Sequence, residues 1–180
     1  MRRFLLGFVQ AAGLLTRIGS AAGALSLLLS LGLISYSVVA RYVFNMPQTW
    51  VDELVGYLLV AVVMAAAADA QRVGEHISVD VLVERLPQGA RKTVTAAGLA
   101  ASAAVGGFLV SEGWAMVAFS RRVGEISTGH LEVPMFWPQL LVPVGGALLA
   151  VAALAGLARM AAGLVPFEPH ESSADPEAGR

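Results

Sequence analysis

The sequence contains no cysteine, and charged residues fill only 14% of its 180 positions. The missing cysteine excludes disulfides, thiolate metal sites and cysteine nucleophiles. A soluble domain carries about 25% charged residues, so this shortage indicates that much of the protein surface faces lipid rather than water. The 12 basic and 13 acidic residues nearly balance, which gives no indication of a nucleic-acid partner.

Hydrophobic residues make up 57% of the chain and collect in four long stretches. A bilayer core of about 30 Å requires about 20 apolar helical residues. We therefore predict an all-α integral membrane protein whose four-helix membrane domain covers residues 18–165. The second stretch is too short to span alone, so it is extended at both ends into flanking acidic positions. The predicted spans are approximately residues 18–40, 50–70, 93–116 and 135–160.

The two ends of the chain differ from this membrane domain. Residues 1–17 are interpreted as a cytoplasmic interfacial segment that leads into span one. The alternative is a signal peptide cleaved near Ser20-Ala21-Ala22, but cleavage there would cut into the long uncharged stretch. Residues 166–180 hold several prolines and acidic residues and no apolar run, which predicts a disordered cytoplasmic tail.

The segment between spans two and three has the periodicity of a short amphipathic helix. Its apolar residues recur at i, i+3, i+4 and i+7, namely at Val79, Leu82, Val83 and Leu86. Ser78 is a suitable N-cap, and Pro87 marks the end. We predict a helix that lies in the plane of the membrane interface.

Basic residues are distributed unequally between the two sides of this four-span topology. One side carries eight, at Arg2, Arg3, Arg17, Arg72, Arg85, Arg91, Lys92 and Arg159, against three on the other, at Arg41, Arg121 and Arg122. Cytoplasmic loops carry the excess of lysine and arginine, so both termini are predicted to be cytoplasmic. All three tryptophans fall on the opposite side, in keeping with their preference for the interface: Trp50, Trp114 and Trp137.

Few residues offer chemistry of their own. The three histidines, His76, His130 and His170, lie outside the predicted spans, which argues against a haem pair and a metal site. No phosphate-binding glycine loop, nucleophile elbow or metalloprotease signature is present. The sequence therefore predicts no enzyme activity and no cofactor. A membrane enzyme or a haem carrier is the alternative class.

Glu112 is the one acidic residue within the predicted third span. It lies 20 residues beyond Lys92, which is about 30 Å along a helix and places it at the opposite interface. We interpret it as an interfacial acid beside Trp114. The alternative is a coupling carboxylate in a self-contained small transporter.

A polar stripe follows span two. Spacings of three, four and four place its members on one helical face, where ion pairs can form: Asp69, Arg72, His76 and Asp80. The alternative is a solvated helix end whose charges contribute little.

Several of these residues occur in an order that is recognisable. Span one ends in Arg41-Tyr-Val-Phe-Asn45, followed by Trp50 and Glu53; after span two come Arg72, Gly74, His76-Ile77 and Val79-Asp80; later come Gly113-Trp114, Ser127, Pro134 and Pro143-Val144-Gly145. From about residue 35 to 150 this series resembles the DctQ-type small permease subunit of tripartite ATP-independent periplasmic (TRAP) transporters. One departure is the alanine-rich run ending in Asp69, where a glycine and no acid are expected.

The resemblance implies a small, non-catalytic subunit of a sodium-coupled, binding-protein-dependent transporter for organic acids in the bacterial inner membrane. Its implied partners are a large multi-span permease, which it scaffolds, a periplasmic substrate-binding protein, and membrane lipids. It also implies that Arg41, Trp50 and Glu53 lie at the outer face near a partner, and that the polar stripe organises the inner turn. The alternative for each is a local role, with Trp50 in the aromatic belt at the membrane interface and Arg41 as an anchor to lipid headgroups. A membrane anchor subunit of another complex is a further alternative.

Overall fold

The computed structural model describes residues 2–74 and 87–167. The described chain forms five helices: α1 (Arg2–Tyr42), α2 (Thr49–Val73), α3 (Gln88–Val123), the short α4 (Phe136–Gln139) and α5 (Leu141–Ala161). Within these ranges four segments are long and apolar enough to cross a membrane, namely Gly7–Tyr42, Thr49–Val73, Gly89–Val123 and Phe136–Ala161. The predicted all-α fold with four membrane spans is confirmed. The predicted in-plane helix lies outside the described residues.

Helix α1 is much longer than the predicted first span. Its 41 residues extend about 60 Å, roughly twice the thickness of the hydrocarbon core. The helix continues without a break from the segment interpreted as interfacial into the span. Tertiary packing supports these early turns, because Ala12 and Thr16 are buried and share a crevice with Ala155 and Arg159 of α5.

Helix α5 lies at the centre of the bundle and packs against α1, α2 and α3. Its buried positions are occupied by small residues and one proline: Pro143, Gly145, Gly146, Ala152, Ala153, Ala155 and Gly156. Lipid tails are as apolar as leucine, so membrane helices associate through close van der Waals packing rather than hydrophobic burial. A helix lined with glycine and alanine can therefore be contacted closely from several sides.

One of these close contacts joins α3 to α5 through backbone atoms. A Cβ atom built on Gly106 would lie 2.7 Å from both the backbone nitrogen of Ala150 and the carbonyl oxygen of Gly146. Only glycine allows this approach. The neighbouring Gly107 and the more distant Gly98 face open space, so not every glycine of this helix serves packing.

Helices α1 and α2 pack through small residues as well, with Gly23 facing Ala65. The buried serine hydroxyl of Ser30 is satisfied within the helix, donating to the carbonyl oxygen of Ser26 at 2.8 Å. Because hydrocarbon offers no alternative partner, such internal hydrogen bonds are required. Ala65 and Ala68 of the alanine-rich run are buried, so alanine fills the contact where the family pattern suggested glycine.

The helices alternate in direction, which defines two ends of the bundle. The start of α1, the end of α2, the start of α3 and the end of α5 lie toward the end of the bundle that we term the Arg72 end. The connection between α1 and α2 and the segment 124–135 lie at the opposite end, termed the Glu53 end. Helices α2 and α3 each finish in a left-handed glycine cap, Gly74 with φ 82° and Gly124 with φ 67°, as helix C-termini commonly do.

Candidate functional site

The segment between α3 and α4 folds into a small hairpin, which we term the 124–135 hairpin. Two backbone hydrogen bonds of 2.9 Å close it, from the N–H of Ser127 to the carbonyl of Val133 and from the N–H of Met135 to the carbonyl of Glu125. Non-helical backbone cannot face hydrocarbon, so this hairpin lies outside the membrane core. It therefore presents a defined shape to the aqueous phase at the Glu53 end.

A carboxylate from α2 holds this hairpin. One carboxylate oxygen of Glu53 accepts hydrogen bonds from the Tyr57 hydroxyl at 2.7 Å and from the Ser127 hydroxyl. Its other oxygen accepts from the backbone N–H of Leu131 at 3.1 Å. We call Glu53, Tyr57, Ser127 and the Leu131 amide the Glu53 clamp. Since hydrogen bonds to a charged acceptor are stronger than neutral ones, the clamp is an effective tie between α2 and the hairpin.

The hairpin is shaped to surround that carboxylate. The N–H of Gly129 donates to the Ser127 hydroxyl oxygen at 3.2 Å, which leaves the hydroxyl proton directed at Glu53. A Cβ atom at Gly129 would collide with the Glu53 carboxylate. The run Ser127-Thr128-Gly129 therefore supplies both the donor and the space that the carboxylate requires.

The other two residues predicted at this end lie outside the clamp. Arg41 is exposed in the last turn of α1. Trp50 is half-buried at the start of α2, and its indole N–H donates to the side-chain oxygen of Gln48 at 2.9 Å. The structure thus gives Glu53 a role inside the chain and leaves Arg41 on the surface.

At the Arg72 end, the polar stripe ties α2 to α1. The Asp69 carboxylate accepts hydrogen bonds from two guanidinium nitrogens of Arg72, at 2.7 and 3.0 Å, and from the Ser20 hydroxyl of α1 at 3.1 Å. The structure therefore places the i, i+3 pair of the stripe in direct contact. His76 and Asp80, the other two members, lie outside the described residues.

Glu112 does not face the interior of the bundle. Its side chain is exposed on α3, next to Gly113, which packs against Pro143. Within residues 2–74 and 87–167, no three histidine or acidic side chains are grouped to hold a metal ion. The carboxylates of Glu53 and Asp69 each tie separate segments of the chain together.

Two residues of these sites were missed in the sequence. Tyr57 follows Glu53 by four residues, so helical spacing alone could have paired them. Ser20 offered no such signal, since 49 residues separate it from Asp69. Ser127 did appear among the recognisable residues, but nothing in the sequence linked it to Glu53, 74 positions away.

These features define a multi-pass helical membrane protein with a structured polar site at each end. A family model described as "Tripartite ATP-independent periplasmic transporters, DctQ component" matches residues 30–163, which cover all four spans in whole or in part. The chain belongs to this DctQ component family, whose members are components of transporters and not enzymes. The resemblance noted in the sequence is confirmed.

A curated relative agrees with this assignment. The C4-dicarboxylate TRAP transporter small permease protein DctQ of Rhodobacter capsulatus is 32% identical over 100 residues. The matched region covers 56% of this chain and 44% of the relative, so the similarity spans less than half of that protein's length.

Proposed function

We propose that this chain is the small, non-catalytic membrane subunit of a sodium-coupled, binding-protein-dependent secondary transporter for organic acids. In this role it scaffolds a large multi-span permease and works with a periplasmic substrate-binding protein. The observation that carries the proposal is the family match over residues 30–163. The relative's printed substrate class, C4-dicarboxylates, supports organic acids as the cargo.

The packing of the bundle supports a scaffold rather than a carrier. The approach of Gly106 to the Gly146 and Ala150 backbone leaves no room for a solute between α3 and α5. A self-contained transporter would need Glu112 to line an internal path, whereas this side chain is exposed on α3. Helix α1 also offers a partner or lipid an extensive apolar surface, with exposed residues such as Leu14, Leu25, Leu28 and Leu31.

Reconstitution into vesicles tests the proposal directly. With radiolabelled succinate as the probe and an inward sodium gradient, we expect no uptake by the chain alone. Uptake should require the chain, the large permease and the binding protein together, and omitting the chain should abolish it. The chain should also co-purify with the large permease. Sodium-driven uptake by the isolated chain, lost in Glu112→Gln, would instead establish the self-contained transporter.

We further propose that the protein lies in the bacterial inner membrane with both termini in the cytoplasm and the Glu53 end in the periplasm. The basic residues of the described Arg72 end support this orientation: Arg17, Arg72, Arg91, Lys92 and Arg159. The Glu53 end carries fewer, at Arg41, Arg121 and Arg122.

The absence of native cysteine makes this orientation simple to measure. Thr128→Cys places a thiol on the exposed hairpin, and Arg91→Cys places one on the exposed start of α3. In intact spheroplasts, a membrane-impermeant maleimide should label Thr128→Cys and should label Arg91→Cys only after permeabilisation. The reverse pattern would contradict the proposed orientation, and the unaltered chain serves as the unlabelled control.

A further inference from the structure

The Glu53 carboxylate is directed into the chain rather than offered to a partner. Both of its oxygens accept hydrogen bonds from this chain's own donors, the hydroxyls of Tyr57 and Ser127 and the Leu131 amide. The side chain is half-buried, whereas the preceding Asp52 is exposed. Three of the roughly four acceptor sites of the Glu53 carboxylate are therefore occupied within the chain.

The hairpin needs such a tie to keep one shape. Its strand pairing consists of a single antiparallel bridge between Ile126 and Pro134, and an isolated two-stranded ribbon is marginal in water. The clamp adds a hydrogen bond on each side of the hairpin tip, at Ser127 and at Leu131. Removing the clamp should therefore loosen the tip while leaving the membrane helices in place.

The held hairpin displays side chains suited to a soluble protein partner. Its exposed residues combine acidic, basic, hydroxyl and aliphatic groups, at Glu125, Ile126, Thr128, His130 and Glu132. Protein interfaces typically mix polar and apolar groups in this way. Two acidic side chains disfavour anionic lipid headgroups. A binding protein approaching from the aqueous phase would meet this surface first.

We propose that Glu53 is a positioning residue, whose carboxylate holds the 124–135 hairpin in the shape on which the soluble substrate-binding protein docks, without touching that protein itself. This inference rests on the proposed function, which supplies the partner. A preformed loop binds more tightly than a mobile one, because the cost of ordering it is met before the encounter.

Binding of the substrate-binding protein to the complex of this chain with its large permease, held in lipid nanodiscs, tests the inference. Glu53→Gln should weaken this binding about tenfold, as expected where one charge-assisted hydrogen bond, that of the Leu131 amide, is lost. Tyr57→Phe should also weaken binding, by a smaller factor. This substitution changes neither a charge nor the exposed surface of the hairpin, so its effect must come from the loss of the hydrogen bond to Glu53. The matched control is Asp52→Asn, which removes the same charge one residue away and should bind as the unaltered complex does.

Hydrogen exchange adds a readout that a direct contact would not produce. In the complex without binding protein, Glu53→Gln should accelerate exchange of the Leu131 and Gly129 amides, whereas Asp52→Asn should not. A disulfide supplies a rescue, since Ile126 and Pro134 form a bridge pair of the kind whose Cβ atoms lie close enough to be linked. Ile126→Cys with Pro134→Cys, oxidised, should restore binding to Glu53→Gln.

The possible outcomes separate the inference from the proposed function. If the unaltered complex does not bind the substrate-binding protein, the proposed function fails. If the unaltered complex binds it, and complexes carrying Glu53→Gln or Tyr57→Phe bind it as tightly, the positioning role is wrong and the proposed function stands. If Asp52→Asn and Glu53→Gln weaken binding equally, the carboxylates contact the binding protein directly. The same conclusion follows if the disulfide does not disturb binding in the otherwise unaltered complex but fails to restore binding to Glu53→Gln. Loss of the large permease from Glu53→Gln complexes would assign the hairpin to that subunit instead.

Discussion

Replacing Gly106 with leucine should prevent α3 from packing on α5 and should destabilise the folded chain by about 3 kcal/mol or more. Even the first carbon of the new side chain would lie 2.7 Å from backbone atoms of Gly146 and Ala150. Backbone atoms cannot rotate away as a flexible side chain can, so the two helices must separate. Because α5 also packs on α1 and α2, the loss of this contact affects the whole bundle.

The adjacent residue provides a matched control. Gly107 lies on the same helix and faces open space, so Gly107→Leu should retain or slightly raise stability, since leucine favours a helix over glycine by somewhat under 1 kcal/mol. The measurement is the thermal midpoint in detergent, followed by tryptophan fluorescence and by monodispersity in size exclusion. Equal destabilisation by the two substitutions would show that the glycine contact does not hold α3 to α5.

The membrane spans were predictable because the hydropathy signal is averaged over a whole segment of the sequence. A stretch of about 20 apolar residues has few alternatives to a spanning helix, since its backbone must bond internally. The extension of α1 was not predictable on this basis. Its first turns are supported by contacts of Ala12 and Thr16 with α5, and two small residues four positions apart do not stand out in so apolar a stretch.

The candidate sites were predictable only where their members are neighbours on one helix. The spacing of Asp69 and Arg72 indicated their pairing, and the structure shows it. Glu53 was singled out through its place in a recognisable series, as a residue near a partner. Its actual hydrogen-bond partners include Ser127, which only the fold of the intervening chain brings close. Single-sequence periodicity cannot reveal such a contact, because it measures distances along the chain.

Arg72→Met should destabilise the protein by about 1–3 kcal/mol, the usual cost of leaving a partly buried charged group without its hydrogen bonds. The substitution removes both guanidinium hydrogen bonds from Asp69, whose side chain is only 29% exposed. Asp69→Asn should cost less, because its amide oxygen can still accept from Arg72 while its amide nitrogen can donate to the Ser20 hydroxyl oxygen. Arg91→Met is the control for loss of a positive charge at the same end, since Arg91 is exposed on α3.

The double variant Asp69→Asn with Arg72→Met distinguishes the energy of the ion pair from the cost of losing either side chain alone. Once Asp69 is asparagine, no carboxylate remains to be left unpaired, so Arg72→Met should cost less in that background by about 1 kcal/mol or more. Recovery should be partial, because Arg72 makes further contacts. The measurement is the free energy of unfolding of the four proteins in one lipid or detergent system. Strictly additive costs would mean that Asp69 and Arg72 act independently and that their ion pair adds nothing to stability.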